Sequence, residues 1–290
     1  MNQTSCKICA SVTEFNFKKD NFDFYKCKNC NLTFVHPQPQ NLDVFYGKSY
    51  YKSDVLDKDF FGYADYEKDK EPMKSNFIGI LEYMKAKVPA QSVFDVGAAT
   101  GYFLDIAKSK NWATYGSEIS NYSYGLAKAK GHRIVLGELD KYEDNLQFGM
   151  VTMWDVLEHL KDPSLYIKNV NKILKDDGWV LINTINADSL WAKLWGKNWN
   201  MIIPPEHLFY FSKENISRLL EDNGFQVVEY KKIFKKFSLS YIFKVLYNWR
   251  KIRVFKKLSI IFDNSFWRKL KIPIYLGDNI FVLAKKVKNI

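Results

Sequence analysis

From Gln91 onward, apolar and polar positions follow two rhythms. Short apolar runs, "SVFDVG", "ATYGSEIS", "RIVLG", "GMVTMWDV" and "WVLINTI", have the length and density of strands buried on both faces. Between them lie segments with helical spacing: "YFLDIAKSK", "NYSYGLAKAKG" and "DPSLYIKNVNKILKDDG". The second is closed by Gly131, a residue that tolerates a left-handed backbone. The third opens with Asp162 as cap and Pro163 at its first position, and ends near Gly178. A helix "SKENISRLLEDNGF", capped by Ser212, a strand "QVVEYKKIF" and a closing "NIFVLAKKV" complete the series. Upstream, residues 72–87 place Phe77, Ile80, Leu81 and Met84 on one helix face. Strands alternating with helices predict an α/β fold, a doubly wound, mainly parallel seven-stranded sheet covered on both faces.

The flanks break this rhythm. Residues 1–40 form a small module ending at Pro37 and Pro39. Residues 41–71, rich in Tyr, Phe and Asp, have no clear period and read as a connecting arm. The main domain then runs over 72–290. Within it, about 236–272 reads as a basic helical insertion, with Leu239, Ile242, Phe243, Leu246 and Trp249 at helical spacing. In "ADSLWAKLWGKNWNMIIPPEHLFYFS", Trp191, Trp195 and Trp199 recur every fourth residue. That spacing predicts one shared helix face, either an acceptor-pocket roof or a packed lid.

Composition narrows the class. The 290 residues are 47% hydrophobic, with 22 Phe, 18 Tyr and 8 Trp, enough apolar material to argue against global disorder. No run approaches the ~18 apolar residues of a membrane span. The start "MNQTSCKICA" lacks a signal-peptide core, so a cytoplasmic protein is expected. The net charge of +11 is concentrated: residues 231–271 hold 13 Lys and Arg against one acid, Asp263, while the rest is close to neutral. A uniformly basic nucleic-acid binder would look different. The segment reads as a two-helix cap with a buried apolar face, ahead of a peripheral membrane contact or an RNA patch.

All four cysteines fall in the first thirty residues: Cys6, Cys9, Cys27 and Cys30, as two CxxC pairs separated by seventeen residues. This is a four-thiolate zinc spacing. Four protein ligands leave no open coordination position, so the zinc would be structural. A module this short is too small for a core of its own and would depend on the ion.

The turn "VFDVGAATGYF" joins the first strand of the series to a helix, where open parallel sheets bind ligands. It lacks the lysine and hydroxyl of a P-loop and the third glycine of a dinucleotide turn. It has acids instead. Asp95 precedes Gly97, Ala98 and Gly101; Glu118 ends the second strand; Glu138 follows the third; Asp155 ends the fourth. Carboxylates at strand ends suit ribose hydroxyls. With no basic phosphate clamp, they suit an adenosine bearing a cationic amino-acid tail, S-adenosylmethionine. Ala99 need only tolerate a compact turn, and the sign of its φ is the structural check: a positive value is a strain to be explained.

"FDVGAATG" resembles the first motif, D-x-G-x-G-x-G, of the class I S-adenosylmethionine-dependent methyltransferases, which have a Rossmann-like fold. "MWDVLEHLKDP" resembles the fourth motif of members acting on small molecules, and "EHLFYFSKENISRLLEDNGFQVVEY" their last helix and sixth strand. The resemblance spans about residues 72–235 plus "NIFVLAKK", which would be the antiparallel seventh strand. It implies that Asp95, Gly97 and Gly101 hold the methionyl end and Glu118 the ribose. "CKICASVTEF…YKCKNCNLTFVHPQP…YGKSYY" is similar to the opening of deoxysugar C-methyltransferases, which carry a zinc-ribbon-like module. Those enzymes place catalytic residues in a further C-terminal domain, and none is carried over.

For the chemistry, His159 follows the fourth strand and His207 sits in "PPEHLF"; both are candidate bases or substrate-orienting groups. Glu158–His159 resembles an acid–histidine pair that some ubiquinone-pathway O-methyltransferases use near a metal. His132, beginning a strand, is expected at the surface. The expected acceptor is a small molecule or a sugar or glycan. RNA methylation is the rival, although "MWDVLEH" is not the Asp/Asn-Pro-Pro-aromatic type expected for exocyclic amines of bases. A non-catalytic S-adenosylmethionine-binding protein is the other alternative.

Overall fold

The computed structural model describes residues 4–39, 46–51, 65–143, 145–250, 252–264, 266–267 and 270–290. The parts of the expected arm at 41–45 and 52–64 lie outside the described residues. The chain begins with three antiparallel strands, β1 (Thr13–Lys19), β2 (Phe22–Cys27) and β3 (Thr33–Val35). Two short helices, α1 (Lys48–Tyr51) and α2 (Tyr66–Lys70), precede a 3-10 turn at Glu71–Met73 and helix α3 (Lys74–Lys85).

Then the two rhythms take shape. Strand β4 (Ser92–Val96) leads to α4 (Tyr102–Ser109), β5 (Ala113–Glu118) to α5 (Asn121–Ala129), and β6 (Arg133–Leu136) to β7 (Phe148–Trp154). Helix α6 (Pro163–Ile173) starts where expected, because the Asp162 side chain accepts from the Leu165 N–H and Pro163 needs no partner. Strand β8 (Leu174–Ile185), a short α7 (Leu190–Trp195) and a two-residue β9 (Phe209–Tyr210) follow. Helix α8 (Lys213–Glu221) opens on a reciprocal capping box of Ser212 and Asn215. The chain ends with β10 (Phe225–Lys231), β11 (Lys235–Ser238), α9 (Leu239–Arg250), α10 (Arg253–Ile261), β12 (Lys271–Ile274) and β13 (Asn279–Lys286).

Seven strands form one sheet in the order β10-β13-β8-β7-β4-β5-β6. The pairs β8–β7, β7–β4, β4–β5 and β5–β6 are parallel, and β13 is antiparallel to both its neighbours. Alternate residues feed opposite faces. Val93, Met150, Leu181 and Leu283 pack under α3 and α4 with Phe77, Leu81 and Leu104. Phe94, Val151, Val180 and Val282 pack under α6 and α8 with Ile167, Val170, Ile216 and Leu219.

Three expectations are corrected. First, the cysteine module does not stand on its own. β3 pairs with β9 through Thr33↔Tyr210 and Phe34↔Phe209, and Cys6, Phe24, Leu32 and Phe34 belong to the same buried cluster as the sheet. The module therefore borrows a core from the α/β domain. Second, the three tryptophans do not share a helix face. Gly196, at φ 52, ends α7, so Trp191 and Trp195 stay paired at 5.2 Å and partly exposed while Trp199 is buried beyond the helix end. Third, the basic segment is not a buried cap. It is a helical hairpin on a two-stranded β11–β12 stem, and no residue of α10 is buried.

Candidate functional site

The carboxyl ends of β4, β5 and β7 open onto a cavity of about 410 Å³. Its floor is the glycine turn, where Gly97, Ala99 and Gly101 all have positive φ (67°, 49° and 81°). Such an alternating backbone turns successive N–H groups to one side. Ala99 thus takes the positive φ whose strain needs a physical account. A left-handed alanine costs about 1–2 kcal/mol. The Ala99 N–H donates to Glu118 Oε2 at 2.8 Å, a charge-assisted bond that offsets this, and the methyl group packs against Tyr50 and Tyr51. Glu118 also accepts from the Ser120 N–H at 2.8 Å and the Tyr51 hydroxyl at 3.3 Å. Burial pushes its carboxyl above the usual range against these bonds.

Gly97, Glu118, Glu138 and Asp155 all line the cavity, with Glu138 exposed at the rim. Asp95, Ala98 and Gly101 do not. Asp95 lies behind the turn, where the Thr152 hydroxyl donates to it at 2.6 Å and burial pushes its pKa up to about 8. Gly101 is a close-approach position: a Cβ there would sit 2.9 Å from His132 Cδ2. His132, expected at the surface, is buried because Nδ1 meets Thr114 Oγ1 and Nε2 meets Asp105 Oδ1, both at 2.9 Å. The ring is pinned at both ends. Gly101→Ala should therefore destabilise the chain by about 2–4 kcal/mol in urea unfolding, from left-handed strain plus overpacking. A loss below about 1 kcal/mol would show that the ring yields.

The residues that the sequence reading missed come from the arm. Tyr46, Tyr50, Tyr51, Tyr66 and Lys70 all line the first cavity. Each of three tyrosines reaches a different element: Tyr46 Oη meets His159 Nδ1 at 3.2 Å, Tyr50 donates to Glu206 Oε1 at 2.7 Å, and Tyr51 to Glu118. The clue was aromatic density without periodicity, which a solvated linker would not need.

A second cavity, about 870 Å³, adjoins the first and shares Tyr50, Lys70, Asp155 and His159 with it. Lys19 and Asp20 of the cysteine module, Glu158, Glu206 and His207, and Lys235, Phe237 and Tyr241 at the root of the basic hairpin also line it. Asp155, at φ 56, is held between Lys70 Nζ at 2.6 Å and the Asn183 side chain. Burial would raise its pKa, but Lys70 and Lys235 keep the carboxyl below the usual range. Burial also lowers both histidines, so they are neutral near pH 7. The His159 Nδ1–H donates to the Glu206 carbonyl, and the His207 Nδ1–H to the Met201 carbonyl, each at 2.8 Å. These bonds assign the tautomer and leave Nε2 as the basic nitrogen of each ring. Glu158, pushed up to about 7 chiefly by burial, accepts from Thr184 Oγ1 at 2.7 Å. One ligand atom each from Glu158, His159 and His207 lies within 4.8 Å of the others, a donor set that suits a divalent metal.

The four thiols lie together within the module. Sγ separations are 3.6 Å for Cys6–Cys30, 3.4 Å for Cys9–Cys27 and 3.7 Å for Cys9–Cys30. Tetrahedral zinc–sulfur bonds of about 2.3 Å put sulfurs about 3.8 Å apart, so the group fits zinc. The two knuckles match: Ala10 N–H reaches Cys6 O at 3.0 Å, Asn31 N–H reaches Cys27 O at 3.1 Å, and both residues have positive φ.

A doubly wound sheet whose glycine turn and strand-end carboxylate face a ligand cavity defines a Rossmann-like domain of the methyltransferase type. The chain belongs to the family described as methyltransferase domain, whose pattern matches residues 66–230. It is 27% identical over 106 residues to the ubiquinone biosynthesis O-methyltransferase of Paracidovorax citrulli, covering 33% of this chain and 44% of that one. It is 22% identical over 201 residues to the protein of that name from Pelagibacter ubique, covering 61% of this chain and 84% of that one. Against the first relatives, from Paracidovorax citrulli and Nitrosomonas europaea, the chain spans about half their length, 44% and 52%. The fold is shared with magnesium protoporphyrin IX methyltransferase of Synechocystis PCC 6803 solved with SAH (TM-score 0.50, 13% identity, 82% of this chain and 91% of that one). It is also shared with the YcgJ protein of Bacillus subtilis (TM-score 0.51, 16% identity, 74% and 99%).

Proposed function

We propose that the chain binds S-adenosylmethionine in the first cavity and transfers its methyl group to a hydroxyl of a small molecule, sugars included, in the second. The observation that carries this reading is the wall the two cavities share, with His159 on it. In this reading Glu118 takes the ribose hydroxyls, Tyr51 giving way to them, and the glycine turn and Tyr66 border the methionyl end. The acceptor oxygen attacks the methyl carbon in line, the C–S bond breaks with its electrons returning to sulfur, and the hydroxyl proton passes to His159 Nε2. His207 and Glu158 orient the acceptor. The named activity of the ubiquinone relatives supports O-methylation.

Calorimetry with S-adenosylmethionine tests the cofactor half; no heat with the wild-type chain would sink it. A divalent ion on Glu158, His159 and His207 is a second reading, favoured by their clustering, in which the metal would acidify the acceptor hydroxyl.

Cys6, Cys9, Cys27 and Cys30 are proposed to hold one structural zinc. Elemental analysis should give one zinc per chain. Because the module shares the domain core, chelation should lower the melting temperature by several degrees and leave the far-UV spectrum largely intact. A metal-free chain with an unchanged melting temperature would refute the assignment.

A further inference from the structure

We infer that the α9–α10 hairpin docks the protein on an anionic lipid surface and holds the second cavity beside it. Three observations converge. Residues 231–271 carry 13 Lys and Arg and a single acid, Asp263, which accepts from the Ser240 hydroxyl at 3.2 Å within the hairpin. Alongside the cations, large apolar side chains are exposed: Ile260 by 67%, Ile261 by 59% and Phe266 by 73%, with Ile252, Val254 and Leu270 about half exposed. The inner face is satisfied separately, Phe243 of α9 stacking on Phe255 of α10 and on Phe262 just past its end, so the outer apolar groups are not needed to hold the two helices together.

On α10 the outward positions interleave the two chemistries. Val254, Lys257 and Ile261 share one stripe, with Arg253, Lys256 and Ile260 beside it. A surface helix on an acidic bilayer needs that mixture: cations at headgroup depth and aliphatic groups at the acyl boundary. Nucleic acid fits less well, because single-strand platforms stack bases on aromatic rings, whereas the exposed large apolar groups of α10, Val254, Ile260 and Ile261, are all aliphatic.

The hairpin also has an address. Its stem and first turn supply Lys235, Phe237 and Tyr241 to the wall of the second cavity. Asn76 Nδ2 donates to the Phe234 carbonyl at 2.8 Å, tying the stem to α3. Docking through α10 thus holds the acceptor cavity near the lipid interface and favours an acceptor carried on a lipid or partitioned into the bilayer. This delivery role rests on the proposed methyl transfer; docking does not.

The test is flotation of the full chain with vesicles of phosphatidylcholine alone or with added phosphatidylglycerol. Binding is expected only with the anionic lipid and should weaken between about 0.15 M and about 1 M salt, as the screening length drops from about 8 to about 3 Å. The double variants Lys256→Glu/Lys257→Glu and Ile260→Asp/Ile261→Asp should each weaken it at least about tenfold, since one basic side chain near such a surface is worth roughly fivefold. Both change exposed side chains, and retained S-adenosylmethionine binding shows that they fold. Three results would overturn the inference: no flotation with the anionic vesicles, flotation unaffected by both variants, or a solution dimer that Ile260→Asp/Ile261→Asp dissociates. A chain that binds the cofactor but not vesicles sinks only the docking; one that binds vesicles but not the cofactor sinks only the methyl transfer.

Discussion

Glu118→Ala should weaken S-adenosylmethionine binding at least about 100-fold. Two ribose hydroxyls on one carboxylate are charge-assisted hydrogen bonds of about 1.5–3 kcal/mol each, and 2.7 kcal/mol is already about that factor. The variant also orphans two backbone donors, the Ala99 and Ser120 N–H groups, so the turn itself should loosen. Glu118→Gln separates these effects. The amide keeps one acceptor for the turn and so should retain most of the stability while losing much of the affinity. Calorimetry and thermal melting measured side by side decide the matter. Unchanged affinity in a folded Glu118→Gln or Glu118→Ala chain would place the ribose elsewhere.

His159→Gln should lower kcat by about 10²–10⁴, the range of a lost general base, with cofactor affinity nearly unchanged. The pH profile carries the sharper signature. Burial holds the His159 pKa below the ordinary imidazole value, so the base form prevails at neutral pH and activity falls only as acid protonates the ring. That acid limb should vanish from the residual activity of the variant. Glu158 ionises near 7, so the profile of Glu158→Gln is the control that assigns the limb. A His159→Gln enzyme with wild-type kcat, or with the acid limb intact, would remove His159 from the proton path. His207→Gln, away from the shared wall, should have the smaller effect on kcat.

These two residues show different degrees of legibility in the chain. Glu118 was visible because a strand end is a local property: the apolar run "ATYGSE" stops at an acid, and strand ends in parallel sheets face ligands. His159 was visible as a candidate, but nothing local set its tautomer. That depends on the Glu206 carbonyl, forty-seven residues away, and on the Tyr46 hydroxyl. The surroundings of Asp95 were hidden for the same kind of reason. Its place before the glycine turn suggested a ligand contact, and only the fold shows that the neighbouring strand brings the Thr152 hydroxyl onto the carboxyl.

The sequence by itself determined the periodic part of this protein. Strand and helix order, the caps at Asp162 and Ser212 and the paired CxxC spacing are written in neighbouring residues, because burial with a fixed period and capping by nearby side chains are short-range physics. Tertiary structure alone decided what the aperiodic parts do. The tyrosines of the arm cover the first cavity, β9 joins the module to the main domain, and α10 points Val254, Ile260 and Ile261 outward. Each of these rests on contacts between distant segments, and the energy that selects such contacts is the packing of surfaces that only the folded chain brings together.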